Sequence, residues 1–209
     1  MQQITTIIFD FGGVLFDLET DRAIARFADL GLPDADQRLD KYQQRGIFAE
    51  LETGRITMSE FQVKLEALCG KPLCHSDIQY AWMGYVGKVD PRKLECILQL
   101  RRRGYRIVLL SNINPYIMPW AHSTDFSVLG RPIDDYVDAM YLSYEVGALK
   151  SDPAFFDHLL RTEGVDPSEC VFVDDGPRNI AYGQQIGMAT LMPLNNELWV
   201  DALLELLNP

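Results

Sequence analysis

A short apolar run that ends in a lone carboxylate constrains the fold of this chain more than any other feature. Residues 4–9 read Ile-Thr-Thr-Ile-Ile-Phe, and Asp10 follows directly, just before Gly12 and Gly13. A nearly unbroken apolar run is typical of a parallel strand buried on both faces of a sheet. Open α/β sheets bind ligands beyond the carboxyl ends of their strands, so Asp10 is predicted to lie at a functional site. The alternative is an aspartate that only caps the next turn.

A long helical insert is predicted directly after this first strand. Beyond Leu15 the apolar spacing changes to that of a helix and keeps it for longer than a simple strand-to-helix connection requires. We therefore assign residues 19–86 to an inserted helical bundle, with hinges near residues 16–19 and 86–89. Helical segments are predicted over residues 20–30, 35–44, 47–52 and 58–69, and around Ile78, Trp82 and Tyr85.

Strands and helices alternate again from Asp90 onward. Asp90-Pro91 and Asp152-Pro153 are typical helix starts, and Gly104 and Gly164 are typical helix ends. Strands are predicted over residues 105–110, 136–142, 170–173 and 189–192, with later helices over 178–186 and 197–207. Residues 113–135 have no assigned fold. The fold class is therefore α/β, with a Rossmann-like doubly wound parallel sheet from residues 1–18 and 87–209 and a helical bundle inserted between them.

Charge and cysteine usage exclude several classes of function. The 209 residues carry a formal net charge of -11, which argues against binding to nucleic acid, because that affinity rests on clustered Lys and Arg. The four cysteines form no C-x-x-C pair, so a zinc site or a disulfide framework is not expected. With no signal peptide or membrane-spanning run in the sequence, we expect a cytoplasmic protein without a membrane partner. Both a monomer and a homodimer are compatible with the sequence.

Polar groups follow the ends of successive predicted strands. They are Asp10, Ser111, Lys150 and the pair Asp174-Asp175. Each residue alone can be explained without a function, as a helix cap, a solvated loop residue or part of a turn. Together they supply a nucleophilic carboxylate, a hydroxyl donor, a fixed cation and acids able to hold Mg²⁺. Because a phosphate dianion repels an attacking carboxylate, its hydrolysis needs such a metal and such donors, so the set predicts phosphoryl transfer.

Other nucleotide and hydrolase motifs are missing from the sequence. It contains no Walker A loop, no G-x-G-x-x-G fingerprint after a strand and no G-x-S-x-G elbow. A two-component receiver domain also combines acids, a hydroxyl and a lysine, but its paired acids would lie on the first strand and it would lack the helical insert.

Four motifs, in order, resemble those of the haloacid dehalogenase (HAD) superfamily. They are Phe9-Asp10-Phe11-Gly12-Gly13-Val14-Leu15, Leu109-Leu110-Ser111-Asn112, Gly147-Ala148-Leu149-Lys150-Ser151-Asp152-Pro153 and Val173-Asp174-Asp175-Gly176-Pro177-Arg178-Asn179. The sequences of these motifs are similar to those of glucose-1-phosphatase-type sugar-phosphate phosphatases within this superfamily. The resemblance covers essentially the whole chain and implies that the insert is a mobile cap over the active site.

The resemblance also implies a role for each motif residue. Asp10 would form an aspartyl-phosphate, with Ser111 and Lys150 as the other catalytic groups. Mg²⁺ would be held by the side chains of Asp10, Asp174 and Asp175 and by the main-chain carbonyl of Gly12. The phosphate of a small phosphorylated metabolite would contact Gly12, Gly13, Ser111, Asn112 and Lys150.

Gly12 departs from the pattern of most phosphatases of the superfamily, which carry there a second aspartate that protonates the leaving oxygen. We therefore expect a preference for esters with good leaving groups, such as glucose 1-phosphate over glucose 6-phosphate, unless water or a cap acid such as Glu50 or Glu52 supplies the proton.

A 2-haloacid dehalogenase also lacks this acid and needs no metal, but would leave Asp174 and Asp175 without a purpose. A catalytically weak phosphate-binding or regulatory protein is a further alternative.

Substrate contacts from the insert cannot be assigned from periodicity. A phosphonate hydrolase would need a Schiff-base lysine there, for which Lys41 and Lys64 qualify only by residue type. The candidates for substrate contact are Tyr42, Arg45, Phe48, Glu50, Glu52 and Trp82. Phe48 and Trp82 suit the core of the bundle equally well.

Overall fold

The computed structural model describes residues 3–41 and 44–207. In those ranges the strands are β1 (Thr6–Phe9), β2 (Phe16–Leu18), β3 (Val86–Val89), β4 (Arg106–Ser111), β5 (Ala139–Leu142), β6 (Cys170–Val173) and β7 (Ala189–Leu191). The α-helices are α1 (Thr20–Asp29), α2 (Ala35–Arg38), α3 (Ile47–Glu52), α4 (Met58–Cys69), α5 (His75–Trp82), α6 (Pro91–Arg102), α7 (Met118–Ala121), α8 (Ser143–Val146), α9 (Pro153–Glu163), α10 (Pro177–Gln185) and α11 (Val200–Leu207). Short 3₁₀ turns span Met83–Tyr85, Thr124–Phe126, Ile133–Asp135 and Pro167–Glu169.

The centre of the fold is a parallel five-stranded sheet with the order β5-β4-β1-β6-β7. Because side chains alternate along a strand, neighbouring residues of β1 belong to two separate cores. Ile7 and Phe9 pack in the core that includes α6, whereas Ile8 packs against α9 and α10. Helices therefore cover both faces of the sheet, which confirms the predicted α/β class and explains why β1 is apolar throughout.

The position of β1 places its carboxyl end at the centre of the site. The chain runs from β1 to β4 and β5 on one side, then returns to β6 and β7 on the other. Strand order therefore reverses next to β1, and such a reversal opens a crevice for ligands beyond the strand ends. Asp10 follows β1 there, between the ends of β4 and β6.

Helices α1 to α5 form the insert, which is joined to the sheet domain by a small ribbon. Strand β2 enters the insert and β3 leaves it, and the two pair antiparallel, with Phe16 opposite Val89. The sequence patterns predict hinges at these positions, and the pairing shows that both are tied together as strands. Inside the insert, Phe27, Phe48, Phe61 and Trp82 form a buried aromatic cluster. Phe48 is therefore a core residue of the insert.

Local helix signals correspond closely to the structure. Thr57 and Glu60 form a reciprocal cap at the start of α4, which ends at Gly70 in the left-handed conformation. Helix α6 begins after Asp90, whose carboxylate accepts a hydrogen bond from the Arg92 N–H.

Some predicted boundaries are wrong. The helix predicted over residues 35–44 ends at Arg38, because Leu39 is extended and buried and the carbonyl of Arg38 accepts a hydrogen bond from the Arg45 N–H instead. The strand predicted over 136–142 begins only at Ala139, after the 3₁₀ turn Ile133–Asp135. The last helix begins at Val200 rather than at 197. Residues 113–135, which the patterns leave unassigned, contain α7 and two 3₁₀ turns.

None of the helices in residues 3–41 and 44–207 combines the length and the apolar character needed to cross a lipid bilayer. Cys69, Cys74, Cys96 and Cys170 are free thiols.

Candidate active site

Asp10 is held at the end of β1 by donors from three parts of the sheet domain. Its N–H donates to the carbonyl of Val173 at 2.8 Å, which continues the pairing with β6. Its Oδ1 accepts hydrogen bonds from the Phe11 N–H at 2.6 Å and the Ser111 hydroxyl at 3.1 Å. The Lys150 ammonium lies 2.6 Å from the same oxygen. Oδ1 is thus fixed, and Oδ2 is the carboxylate oxygen left to face a ligand.

Lys150 is a buried cation between two carboxylates. Its Nζ lies 2.6 Å from Asp10 Oδ1 and 2.6 Å from Asp174 Oδ2. Burial alone lowers the pKa of this lysine, but the adjacent Asp10 and Asp174 outweigh burial and raise its pKa overall. Its N–H donates to Asn112 Oδ1 at 2.9 Å, so the Asn112 side chain positions the loop that carries the cation. Lys150 therefore stays charged and offsets part of the negative charge of the site.

Asp174 and Asp175 follow β6 and complete the acid cluster. Asp174 Oδ1 accepts hydrogen bonds from the Gly176 N–H at 2.7 Å and from Asn179 Nδ2 at 2.9 Å. Asp175 lies so close to Gly13 that a Cβ on this glycine would come within 2.2 Å of Asp175 Oδ2. Gly13 also has φ +80°, a conformation that side chains other than glycine rarely adopt. The second glycine of the first motif is therefore required by both backbone and space.

The acid cluster fits a divalent cation. Asp10, Asp174 and Asp175 each offer one oxygen, and the three oxygens lie within 4.8 Å of one another. Burial, opposed by Lys150 and reinforced by Asp174 and Asp175, raises the pKa of Asp10 to about 7. Burial also raises the pKa of Asp175. Hard carboxylate oxygens whose joint ionisation is costly match the ligand preference of Mg²⁺, which would relieve that cost.

The insert closes over this cluster and lines a shared cavity of about 70 Å³. From the sheet domain the lining includes Asp10, Gly12, Asn112, Lys150 and Asp175, and from the insert it includes Lys41, Gln44, Glu52, Trp82 and Tyr85. The Lys41 ammonium lies 2.8 Å from Asp175 Oδ2 and links the two parts directly. A neighbouring cleft of about 810 Å³ shares Gln44, Glu52 and Lys150 with the cavity, so the site has a route to the surface.

Polar groups of the insert face the strand ends from the opposite side of the cavity. The Tyr85 hydroxyl donates to Gln44 Oε1 at 3.2 Å. The Trp82 indole is buried, and its Nε1–H has no hydrogen-bond partner among the described residues. Glu52 is also buried, and burial raises its pKa to about 8. The side of the cavity formed by the insert therefore offers several hydrogen-bonding groups to a ligand.

The structure brings the residues selected from the sequence together at one edge of the sheet. Ser111 reaches Asp10, Asp174 lies behind Lys150, and Gly12, Asn112 and Asp175 line the cavity. Their individual roles remain predictions.

Residues of the insert were harder to select. Lys41, which the sequence offers only by residue type, contacts Asp175. Gln44 and Tyr85 line the cavity but are not among the candidates for substrate contact. Glu50 faces away and pairs with Lys64 at 2.6 Å. Arg45 lines only the outer cleft, and Tyr42 lies outside the described residues. No local motif identifies these contacts, because they depend on how the insert folds over the sheet.

Comparison with known proteins agrees with this geometry. Residues 4–187 match the haloacid dehalogenase-like hydrolase family. The chain is 47% identical, over 98% of its length and 99% of the relative's, to a D-ribitol-5-phosphate phosphatase from Bacteroides thetaiotaomicron. It superposes with a TM-score of 0.94 and 36% identity on a predicted HAD-like hydrolase from Porphyromonas gingivalis, with all of both chains covered.

A further solved structure contains ligands. It is a HAD family enzyme from B. thetaiotaomicron, an aspartate-to-alanine mutant in complex with magnesium and inorganic phosphate, at TM-score 0.89 and 31% identity, covering 96% of this chain and 98% of the other. Similarity of this extent over both full lengths, together with the four motifs gathered at the strand ends, shows that this chain belongs to the haloacid dehalogenase-like hydrolase family.

Proposed function

We propose that this protein is a Mg²⁺-dependent hydrolase of small phosphate monoesters, with Asp10 as the nucleophile. The observation that carries the proposal is the arrangement around Asp10. One oxygen is held by Ser111 and Lys150, and the carboxylate shares its oxygen cluster with Asp174 and Asp175. This is the set that the displacement of a phosphate ester requires: a fixed nucleophile, a cation and a metal-binding group of acids.

Each residue has a defined task in the proposed reaction. Asp10 Oδ2 attacks phosphorus and forms an aspartyl-phosphate, and water then hydrolyses this intermediate. Ser111 and the Lys150 ammonium stabilise the phosphoryl oxygens, as preorganised donors do in a site that excludes water. Asp174 and Asp175, with Asp10, would hold Mg²⁺. When bound, the ion supplies positive charge that offsets repulsion between the carboxylate and the phosphate dianion.

The substrate we propose is the phosphate ester of a polyol or sugar. Support comes from the 47% identical relative, which is named for D-ribitol 5-phosphate. Support also comes from the insert, where Gln44, Glu52, Trp82 Nε1 and the Tyr85 hydroxyl line the cavity opposite the strand ends. Hydroxyl groups of a short carbon chain would give Glu52 and Trp82 Nε1 the partners that buried polar groups normally have, and would extend the pair formed by Gln44 and Tyr85.

We further propose that residues 19–86 act as a cap that opens to admit this substrate. The link between Lys41 and Asp175 and the small cavity beneath the insert support this role. A cytoplasmic location is proposed on the basis of the four free thiols, since secreted proteins more often pair their cysteines.

The test compares hydrolysis of ribitol 5-phosphate, glucose 6-phosphate, glucose 1-phosphate and p-nitrophenyl phosphate with Mg²⁺ and with a chelator. We expect activity only with the metal, and loss of turnover in Asp10→Asn, which removes the nucleophile but keeps the side-chain shape. The matched control is Asp166→Asn, because Asp166 caps the turn before the opposite end of β6.

Four outcomes would contradict the proposal. Full activity after chelation would exclude metal dependence, and appreciable turnover by Asp10→Asn would exclude the nucleophile. Phosphate binding without turnover by the wild type would favour the regulatory alternative. Release of halide from a 2-haloacid without metal would favour the dehalogenase alternative.

A further inference from the structure

The position that usually carries the proton donor in this family has no room for one without rearrangement. Residue 12 is glycine, and a Cβ there would lie 2.9 Å from Leu18 Cδ2. Leu18 belongs to β2, and its N–H and carbonyl are hydrogen-bonded to the Asn195 side chain at 2.9 Å and 3.0 Å. An alkoxide leaving group still needs a proton, so another group must supply it.

Only three acidic residues of the described chain line the cavity, namely Asp10, Glu52 and Asp175. Asp10 and Asp175 belong to the oxygen cluster that suits a metal ion. Glu52 is therefore the one acid that faces the same space from the insert and lies outside the cluster.

The surroundings of Glu52 suit a proton donor. It is the last residue of α3 and is only 8% exposed. Its carboxyl group forms no hydrogen bond or ion pair with any residue that the structure describes. It therefore does not stabilise the fold through such a contact. Burial raises its pKa to about 8, and the group is therefore mostly protonated at neutral pH. A buried neutral carboxyl without a partner is costly unless a ligand supplies one.

We propose that Glu52 is the catalytic acid and base of this enzyme, donating its proton to the leaving oxygen of the substrate across the cavity. This inference rests on the proposed phosphatase function. It assigns to the insert a chemical role in addition to selection of the substrate.

The proton and the electron pairs balance over the two steps. As the Asp10–phosphorus bond forms, the phosphorus–ester oxygen bond breaks, and its electron pair goes to the leaving oxygen. That oxygen takes the proton of Glu52 and departs as an alcohol, which leaves Glu52 as a carboxylate. Water then attacks the phosphorus of the aspartyl-phosphate and transfers one proton to Glu52. The bond between the Asp10 oxygen and phosphorus breaks, and its electron pair returns to the Asp10 carboxylate. Hydrogen phosphate is released, and Glu52 is again neutral.

The test measures how the effect of Glu52→Gln depends on the leaving group. From p-nitrophenyl phosphate through phenyl phosphate to ribitol 5-phosphate, the leaving oxygen becomes more basic and depends more on protonation. We expect kcat/KM with ribitol 5-phosphate, which reports on departure of the leaving group and not on hydrolysis of the aspartyl-phosphate, to fall on the order of a hundred- to ten-thousand-fold. We expect kcat/KM with p-nitrophenyl phosphate to change little. Glutamine keeps the size and hydrogen-bonding capacity of the side chain, so a change in this dependence reports on the proton.

The matched control is Glu50→Gln on the same helix. Glu50 is partly exposed and pairs with Lys64, so its removal should leave the leaving-group dependence unchanged. Circular dichroism and thermal unfolding would show whether Glu52→Gln folds. If it does not fold, imidazole added to Glu52→Ala, whose protonated form can donate a proton at neutral pH, should raise kcat/KM with ribitol 5-phosphate and not alter that with p-nitrophenyl phosphate.

Equal loss across the series in Glu52→Gln, no loss with any ester, or a leaving-group dependence that changes in Glu50→Gln would overturn the assignment. Absence of rescue by imidazole in a folded Glu52→Ala would overturn it as well. These outcomes differ from failure of the proposed function, in which the wild type itself hydrolyses no phosphate monoester in Mg²⁺.

Discussion

Gly12 and Gly13 are adjacent residues of the first motif, but a side chain would meet a different obstacle at each position. At Gly12 the obstacle is the end of the Leu18 side chain, which is flexible and can move. At Gly13 a Cβ would collide with the Asp175 carboxylate, and the backbone has φ +80°. Substitution should therefore be tolerated at the first position and not at the second.

Gly13→Ala is expected to destabilise the protein and weaken metal binding. The left-handed backbone costs an alanine about 1–2 kcal/mol, and displacement of Asp175 adds to this cost. Gly164→Ala is the matched control, because Gly164 has φ +68° and no atom within 4 Å of a Cβ, so it incurs the backbone cost alone. Urea unfolding measures the difference. Equal losses of unfolding free energy in the two variants would show that contact with Asp175 is unimportant.

The rate of hydrolysis of an alkyl phosphate should fall as pH rises above about 8. The pKa of Glu52 is raised to about 8 by burial, and a proton donor loses activity as pH rises through its pKa. Burial chiefly raises the pKa of Tyr85 and neighbouring carboxylates raise that of Lys150, so neither loses its proton near this pH. A pH profile of kcat/KM should show this alkaline limb in the wild type and lack it in Glu52→Gln. An identical limb in both proteins would assign it to another charged group that faces the cavity, namely Lys41, Lys150, Asp10 or Asp175.

At the scale of single elements, the ribbon of β2 and β3 controls how the insert is attached. Two backbones approach closely there, since a Cβ on Gly87 would lie 2.4 Å from the carbonyl oxygen of Asp17. The ribbon also carries Leu18, which lies against Gly12 in the cavity. Any change in the pairing therefore alters both the attachment of the insert and the lining of the site.

Gly87→Ala is expected to lower the free energy of unfolding by about 1–3 kcal/mol, because the added methyl group must push two strands apart. It should also raise KM, since the insert would no longer close in the same position. Lys88→Ala, a change at an exposed neighbour on the same strand, serves as the control. Steady-state kinetics and urea unfolding test both effects. Unchanged KM with reduced stability would limit the ribbon to a purely structural role.

Elements whose own residues carry a clear pattern could be predicted from the sequence. Short strands that form only by pairing with a distant segment could not. The strand at Cys170–Val173 and the capped helix α4 carry strong signals in their own residues. Strands β2 and β3 are three and four residues long and pair with each other across the whole insert, so neither has a recognisable pattern. The extended Leu39 ends a helix that its neighbours favour, because burial of that side chain outweighs helix propensity.

At the scale of the whole molecule, the chain gathers acids at one edge of a protein that is already strongly negative, with a formal net charge of -11. The residues at the strand ends could be selected from the sequence, because parallel strands bring their carboxyl ends to one edge. Lys41, Gln44 and Tyr85 could not, because their place in the site depends on how the insert packs.

Mg²⁺ is expected to raise the melting temperature of the wild type, because the ion binds the folded cluster and not the unfolded chain. At a concentration a hundred times the dissociation constant, this linkage contributes about 2.7 kcal/mol. Asp175→Asn removes one ligand and should reduce the increase, while Asp166→Asn should retain it. Thermal unfolding with and without the metal measures this directly. The same increase in Asp175→Asn as in the wild type would place the ion elsewhere.

The central position of β1 has a consequence for biosynthesis. Thr6 pairs on one side with Arg106 and on the other with Cys170, and the Trp199 indole donates to the Val14 carbonyl at 2.9 Å beside Phe9. The strand that carries Asp10 thus leaves the ribosome long before either of its neighbours exists. Contacts so distant along the chain form slowly and leave apolar strands exposed meanwhile. The nascent protein therefore depends on late residues to complete its earliest motif, and we expect chaperones to bind this first strand during translation.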